Sequence, residues 1–194
     1  MATAFNIMQR NKVNEKEPLP ALRCISIGNS DVKMVADAID IGLIADTHTV
    51  VRPQVINAFR GVARILHAGD VGSPLVLAEL QTIAPVTAVR GNVDQGRWAD
   101  PLPHTEIVEV GGVLIYLLHD LEDLPLDPYA AGFAAVVFGH SHKPETHYRD
   151  GVLYINPGSA GPRRSANPIT VARLQIAAGA VHPEIISLES PTSH

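Results

Sequence analysis

The chain has 194 residues, 46% of them hydrophobic, and a formal net charge of −5. That length suits one domain with a sizeable core, and the hydrophobic share excludes a disordered chain. The acidic balance (pI near 5.9) excludes a dedicated nucleic-acid binder, which would carry a basic face, and no apolar run reaches the ~18 residues that a membrane span needs.

Residues 1–38 differ from the rest and are expected to form a loosely ordered extension. Met1 to Pro20 is polar and has no period. Ala21 to Ile27 is a candidate edge strand, Gly28 to Asp31 is a turn signal, and Met34 offers an alternative start. The single cysteine, Cys24, cannot form an internal disulfide. With no secretory signal visible, a cytoplasmic location is expected.

From Ile41 the chain reads Ile41-Gly42-Leu43-Ile44-Ala45-Asp46-Thr47-His48. A short apolar run ending in polar residues fits a buried strand of a mostly parallel sheet, whose ligand site lies beyond its carboxyl end. In an extended segment Asp46 and His48 would project to one side. Pro53 to Phe59 is expected as a short helix, and Ala63 to Ala68 as a second strand ending in Gly69-Asp70. Ser73 and Pro74 should cap and open the next helix, whose apolar stripe is Leu75, Val76, Leu80 and Ile83. Val86 to Val89 is a third strand, ending in Arg90-Gly91-Asn92. This strand–helix alternation has the spacing of right-handed crossovers.

The second half reads as strands. Thr105 to Val110, Val113 to Leu118, Ala134 to Phe138, Glu145 to Arg149, Val152 to Ile155, Ile169 to Ile176 and about Val181 to Leu188 are expected. Gly111-Gly112 and Asp150-Gly151 are hairpin turns. Only Pro128 to Gly132 suggests a helix there. The run to Leu118 ends in His119, and that to Phe138 ends in Gly139-His140-Ser141-His142.

Five apolar runs thus end in groups that bind metals: Asp46 with His48, Asp70, Asn92, His119, and His140 with His142. Mixed nitrogen and oxygen donors suit manganese, iron, zinc or cobalt better than calcium or a thiolate-bound structural zinc. Donors enough for two ions point to hydrolytic chemistry, in which paired metals lower the pKa of a water and clamp phosphate oxygens.

In Asp46-Thr47-His48, Gly69-Asp70, Gly91-Asn92, His119 and Gly139-His140-Ser141-His142 the chain resembles the calcineurin-like metallophosphoesterases, especially their small single-domain members. The resemblance spans about residues 40 to 188, within an expected domain of residues 39–190. It implies an α/β fold, a four-layer αββα sandwich of two mixed sheets. It implies two divalent metal ions, manganese foremost and iron, nickel, cobalt or zinc as alternatives. Asp46, His48 and His142 would hold one ion, Asn92, His119 and His140 the other, and Asp70 would bridge them. Asp70, Asn92 and His119 would also serve catalysis, in which a metal-held hydroxide attacks a small phosphoester, foremost a diester. Three positions depart from the pattern: Thr49 and Asp120 stand where glycine is common, and Val93 stands where many members offer an acidic histidine.

Arg163 is the candidate phosphate contact, in a loop (Asn156 to Arg164) where Asn156 and Ser159 are expected to be structural. His67 is expected to support the site without binding metal. Trp98, Leu121, Leu124 and Leu126 are expected to fill core before serving as a lid or subunit contact. The apolar loops permit a homodimer or higher homo-oligomer. The competing reading is a non-catalytic protein-binding scaffold, because the small subunit of the retromer coat resembles this fold with an altered metal site.

Overall fold

The computed structural model describes residues 22–27, 31–36, 38–163 and 166–189. Strands β1 (Leu22–Ile27) and β2 (Asp31–Ala36) pair with each other as an antiparallel two-stranded ribbon. The expected edge strand therefore pairs with Asp31–Ala36 and joins neither large sheet, and the turn signal at Gly28 to Ser30 lies outside the described residues. The polar segment before it lies outside the described residues.

The first large sheet contains β3 (Ile39–Ile44), β4 (Arg64–His67), β5 (Val86–Ala88), β11 (Thr170–Ala177) and β12 (Ala180–Ser187), in the order β12-β11-β3-β4-β5. Strands β3, β4 and β5 are parallel, joined by α1 (Pro53–Ala58) and α2 (Pro74–Gln81). Their carboxyl ends therefore share one edge. The second sheet has the order β6-β7-β8-β10-β9, formed by β6 (Thr105–Val110), β7 (Val113–Leu118), β8 (Phe133–Val137), β9 (Glu145–Arg149) and β10 (Val152–Asn156). Here β7, β8 and β10 are parallel, while β6 and β9 run antiparallel. Both sheets are mixed.

Alternation along the strands builds the layers. Ile41 and Leu43 of β3 face Ile115 and Leu117 of β7, Val137, Ile155 and Leu174 in the core between the sheets. Ile44, on the opposite face of β3, packs with Val55, Phe59, Val76 and Leu80 beneath the helices. Burying such side chains contributes about 1.5–3 kcal/mol each. Ser73 caps α2 by accepting a bond from Leu75 N at 3.2 Å. The stripe of α2 is rotated from the expected one. Leu75 is 75% exposed while Val76 and Leu80 are buried, and Leu77 and Ile83 pack beside them. The Pro74 start sets this phase, placing Leu75 on the outer side of the first turn.

The layer outside the second sheet consists of loop. Tyr116, Leu118, Val136, Phe138 and Tyr154 are covered by Leu121, Leu124 and Leu126, with only a 3-10 turn at Leu121–Asp123. The expected helix at Pro128 to Gly132 is a turn instead. Asp127 Oδ1 accepts from Tyr129 N and Ala130 N, and Gly132 at φ 79° ends the coil after that turn. Trp98 packs into the core under the helices. The leucines and Trp98 thus pack half-buried against the core, in line with the core-filling expectation.

Candidate metal centre

Strand β3 ends at Ile44, and the next five residues lie against the loop after β4. Asp46 N donates to Gly69 O, His48 N to Asp70 O and Thr49 N to Val71 O, each at 3.0 Å. Asp46 and His48 are not extended, as the strand reading supposed. Their φ angles are 52° and 44°, so a left-handed turn and not strand alternation aims both side chains at one point. The same conformation recurs at Asp70 (53°), His140 (68°) and His142 (57°). Left-handed backbone costs roughly 1 kcal/mol per non-glycine residue, least for Asp, Asn and His. Such outliers persist where surrounding bonds over-determine them.

The second sheet supplies the other half. His119 follows β7, and its Nδ1 donates to Ala68 O at 2.8 Å, which leaves Nε2 as the free lone pair. Asn156 Nδ2 donates to Gly139 O at 2.7 Å and to Ser141 Oγ at 3.1 Å, fixing the turn that carries His140 and His142. Asn167 Nδ2 donates to His142 O at 3.1 Å, and Ser159 Oγ donates to Asp46 O at 3.0 Å. Asn156 and Ser159 are structural supports, as expected.

All seven side chains expected at the centre meet there. Donor atoms of Asp46, His48, Asp70 and His142 lie within 4.8 Å of one another. In this group His48 Nε2 is 3.3 Å from His142 Nε2, and His142 Nε2 is 3.4 Å from Asp46 Oδ1. A second group surrounds His119 Nε2, which is 3.0 Å from Asn92 Oδ1 and 3.4 Å from both Asp70 Oδ1 and His140 Nδ1. Asp70 borders both groups, because its Oδ2 lies 3.8 Å from His48 Nε2. Two buried carboxylates and converging imidazoles repel as anions and as lone pairs, and a divalent cation relieves both. The donor set therefore fits a metal. Close approach depends on Gly91, where a Cβ would collide with the backbone and carboxylate of Asp70, and on Gly69, where it would lie 2.6 Å from His119 Nδ1.

Two buried polar residues hold these loops. His67 is fully buried, and desolvation lowers its pKa from 6.5 to about 3 against the opposing pull of Asp94. It stays neutral. Thr47 Oγ1 donates to Val71 O at 3.0 Å, so His67 Nε2 donates to Thr47 at 2.9 Å. Asp94, which sequence reasoning passed over, accepts from Val71 N at 3.1 Å, Gly72 N at 2.7 Å and Gly91 N at 2.9 Å. It ties the Asp70 loop to the Asn92 loop. Its signal was a lone acid in the glycine turn Gly91-Asn92-Val93-Asp94, a setting in which Asp commonly accepts backbone N–H bonds.

Arg163 lines a small cleft with His142, Ser159 and Asn167. Its guanidinium pairs with the Glu189 carboxylate. Arg164 lies outside the described residues. His104, His147 and His182 are exposed.

Residues 39–179 match the model of the calcineurin-like phosphoesterase superfamily domain. A probable metallophosphoesterase of Methanothermobacter thermautotrophicus is 34% identical over 163 residues, 78% of this chain and 94% of that protein. A phosphodiesterase of Methanocaldococcus jannaschii is 27% identical over 137 residues, 61% of this chain and 82% of that protein. Among solved structures, Vacuolar Protein Sorting 29 of Cryptosporidium parvum superposes with a TM-score of 0.63 at 20% identity, covering 79% of this chain and 99% of that one. A novel archaeal phosphodiesterase superposes with a TM-score of 0.62 at 22% identity, covering 76% and 100%.

Proposed function

Since the chain belongs to the calcineurin-like phosphoesterase superfamily, we propose that it is a phosphodiesterase that works with two divalent metal ions. The observation that carries this reading is the pair of donor groups on either side of Asp70. Asp46, His48 and His142 would hold one ion, Asn92, His119 and His140 the other, with Asp70 between them. When bound, such ions supply Lewis acidity to a phosphate and lower the pKa of a water.

The chain's own residues do the rest. The bond from His119 to Ala68 O keeps its Nε2 turned inward. Val93 N donates to Asp70 Oδ1 at 3.0 Å, orienting the bridging carboxylate. The Val93 side chain is 40% exposed beside Asn92 and carries no proton. A leaving alcohol receives none from this position, so esters of acidic alcohols are the better substrates. Arg163 stands at the rim beside His142 and offers a phosphate contact if it leaves Glu189.

Manganese is the foremost ion, with iron, nickel, cobalt and zinc as alternatives, because mixed imidazole and carboxylate sites accept all of these. No helix among the described residues is long and apolar enough to cross a membrane. A cytoplasmic location agrees with the single cysteine. The homo-oligomer permitted by the apolar loops belongs to the same proposal.

The test is hydrolysis of a chromogenic diester and its monoester by metal-stripped protein, with single metals added back and Asp70→Asn alongside. Diester turnover should require metal. It should fall at least about 100-fold in the variant, since even residues that only support metal ligands cost 10–100-fold. The second reading, a protein-binding scaffold, is favoured by the fold likeness to Vacuolar Protein Sorting 29. Metal uptake without turnover of either ester would select it.

A further inference from the structure

A carboxylate next to the centre has no part in the arrangement above. Asp120 directly follows His119, and its two oxygens face different ways. Oδ1 accepts from Glu122 N at 3.0 Å and so caps the 3-10 turn. Oδ2 faces His140 Nε2 at 3.4 Å. The other nitrogen of that ring, Nδ1, faces inward, 3.2 Å from Asn92 Oδ1 and 3.4 Å from His119 Nε2. The ring stands nearly perpendicular to His119, at 84° with centroids 5.2 Å apart.

His140 needs such a partner more than the other imidazoles. Its side chain is 47% exposed, whereas that of His119 is 7% exposed and held by Ala68 O. A neutral imidazole carries one donor and one acceptor nitrogen, and the group beside one nitrogen decides which form faces the other way. Carboxylates behind metal-bound histidines act in this way, fixing both ring orientation and basicity. The capping bond from Glu122 N holds the Asp120 carboxylate in place before any ligand arrives.

We infer that Asp120 is a positioning residue: it keeps the proton of His140 on Nε2, so that Nδ1 presents its lone pair to the second metal. The inference rests on the two-metal reading and assigns its second site a carboxylate–imidazole–metal relay. Asp120 itself touches neither ion nor substrate.

Asp120→Asn is the suitable variant, because Asn also caps helical turns and occupies the same volume without the charge. Zinc titration of the metal-free chain should show the first ion bound as in the wild type and the second bound 10–100-fold more weakly. Proton NMR of the zinc-loaded wild type should show a slowly exchanging imidazole N–H, assigned by its loss in His140→Ala. In Asp120→Asn that signal should broaden into solvent exchange. Equal second-ion affinity together with an unchanged N–H signal would overturn the inference. Equal weakening of both ions would also overturn it, by showing general damage. A wild type that takes up only one ion would instead defeat the two-metal reading beneath it.

Discussion

Asp94 offers the sharpest test of how the centre is held together. It is 1% exposed and accepts three backbone N–H bonds from the loops that carry Asp70 and Asn92. Removing an acceptor leaves a buried donor unsatisfied, at about 1–3 kcal/mol per group. Oδ2 serves Val71 N and Gly91 N, while Oδ1 serves Gly72 N alone. In Asp94→Asn the amide oxygen can take the Oδ2 position and keep two partners. Its NH2 then opposes Gly72 N, so one N–H loses its acceptor and the charge assistance goes with it, for about 2 kcal/mol. In Asp94→Ala all three N–H donors lose their acceptor. Two are deeply buried and one is partly exposed, which gives about 4 kcal/mol. Both variants should be measured by urea unfolding of metal-free protein. The ordering carries the test. Equal losses, or losses below about 0.5 kcal/mol in both, typical of a surface substitution, would refute the donor count.

Two further outcomes follow from the same region. His67 in the unfolded chain takes a proton near pH 6.5, but in the fold only near about 3. Its contribution to stability is therefore complete above pH 6.5 and declines as pH falls, by about 1.4 kcal/mol per unit and about 2 kcal/mol by pH 5. The urea unfolding free energy of metal-free protein should fall between pH 7 and pH 5 by about 2 kcal/mol more in the wild type than in His67→Asn; an identical slope in the variant would contradict the assignment. Gly69→Ala places a Cβ against the His119 ring at a φ of 85°, which costs roughly 1–2 kcal/mol in backbone alone. Its melting temperature should drop by several degrees and its metal uptake should weaken, and an unchanged melt would refute the strain.

Strand β7 and the α1 and α2 starts were legible because turn glycines and prolines bound them. The residues that gather at the candidate centre were legible because each apolar run stops abruptly at a polar residue. What the letters did not carry was how the chain turns after those stops. Nothing in Asp46-Thr47-His48 announces φ angles of 52° and 44°. That geometry comes from pairing with Gly69 to Val71, a segment more than twenty residues away, and local pattern cannot see it. Leu75 misled for a related reason. Four apolar residues fit a stripe only once the helix phase is known, and the phase depends on where Pro74 starts the helix. The segment Pro128 to Gly132 misled as well, because a proline start and a glycine end fit a short helix as readily as the turn that Asp127 caps. Leu121, Leu124 and Leu126 lie in a 3-10 turn and the loop after it, and only the sheet beneath explains their burial.

The seven donors are divided between two sheets. Asp46, His48, Asp70 and Asn92 follow the strands of one, and His119, His140 and His142 follow those of the other. Neither half of the chain holds a full set. Any ion bound by both halves is a clasp across the sandwich, and its affinity includes the free energy of docking one sheet on the other. Chelator and denaturant would then pull on one variable from opposite ends, and metal content becomes a gauge of whether the two sheets are shut.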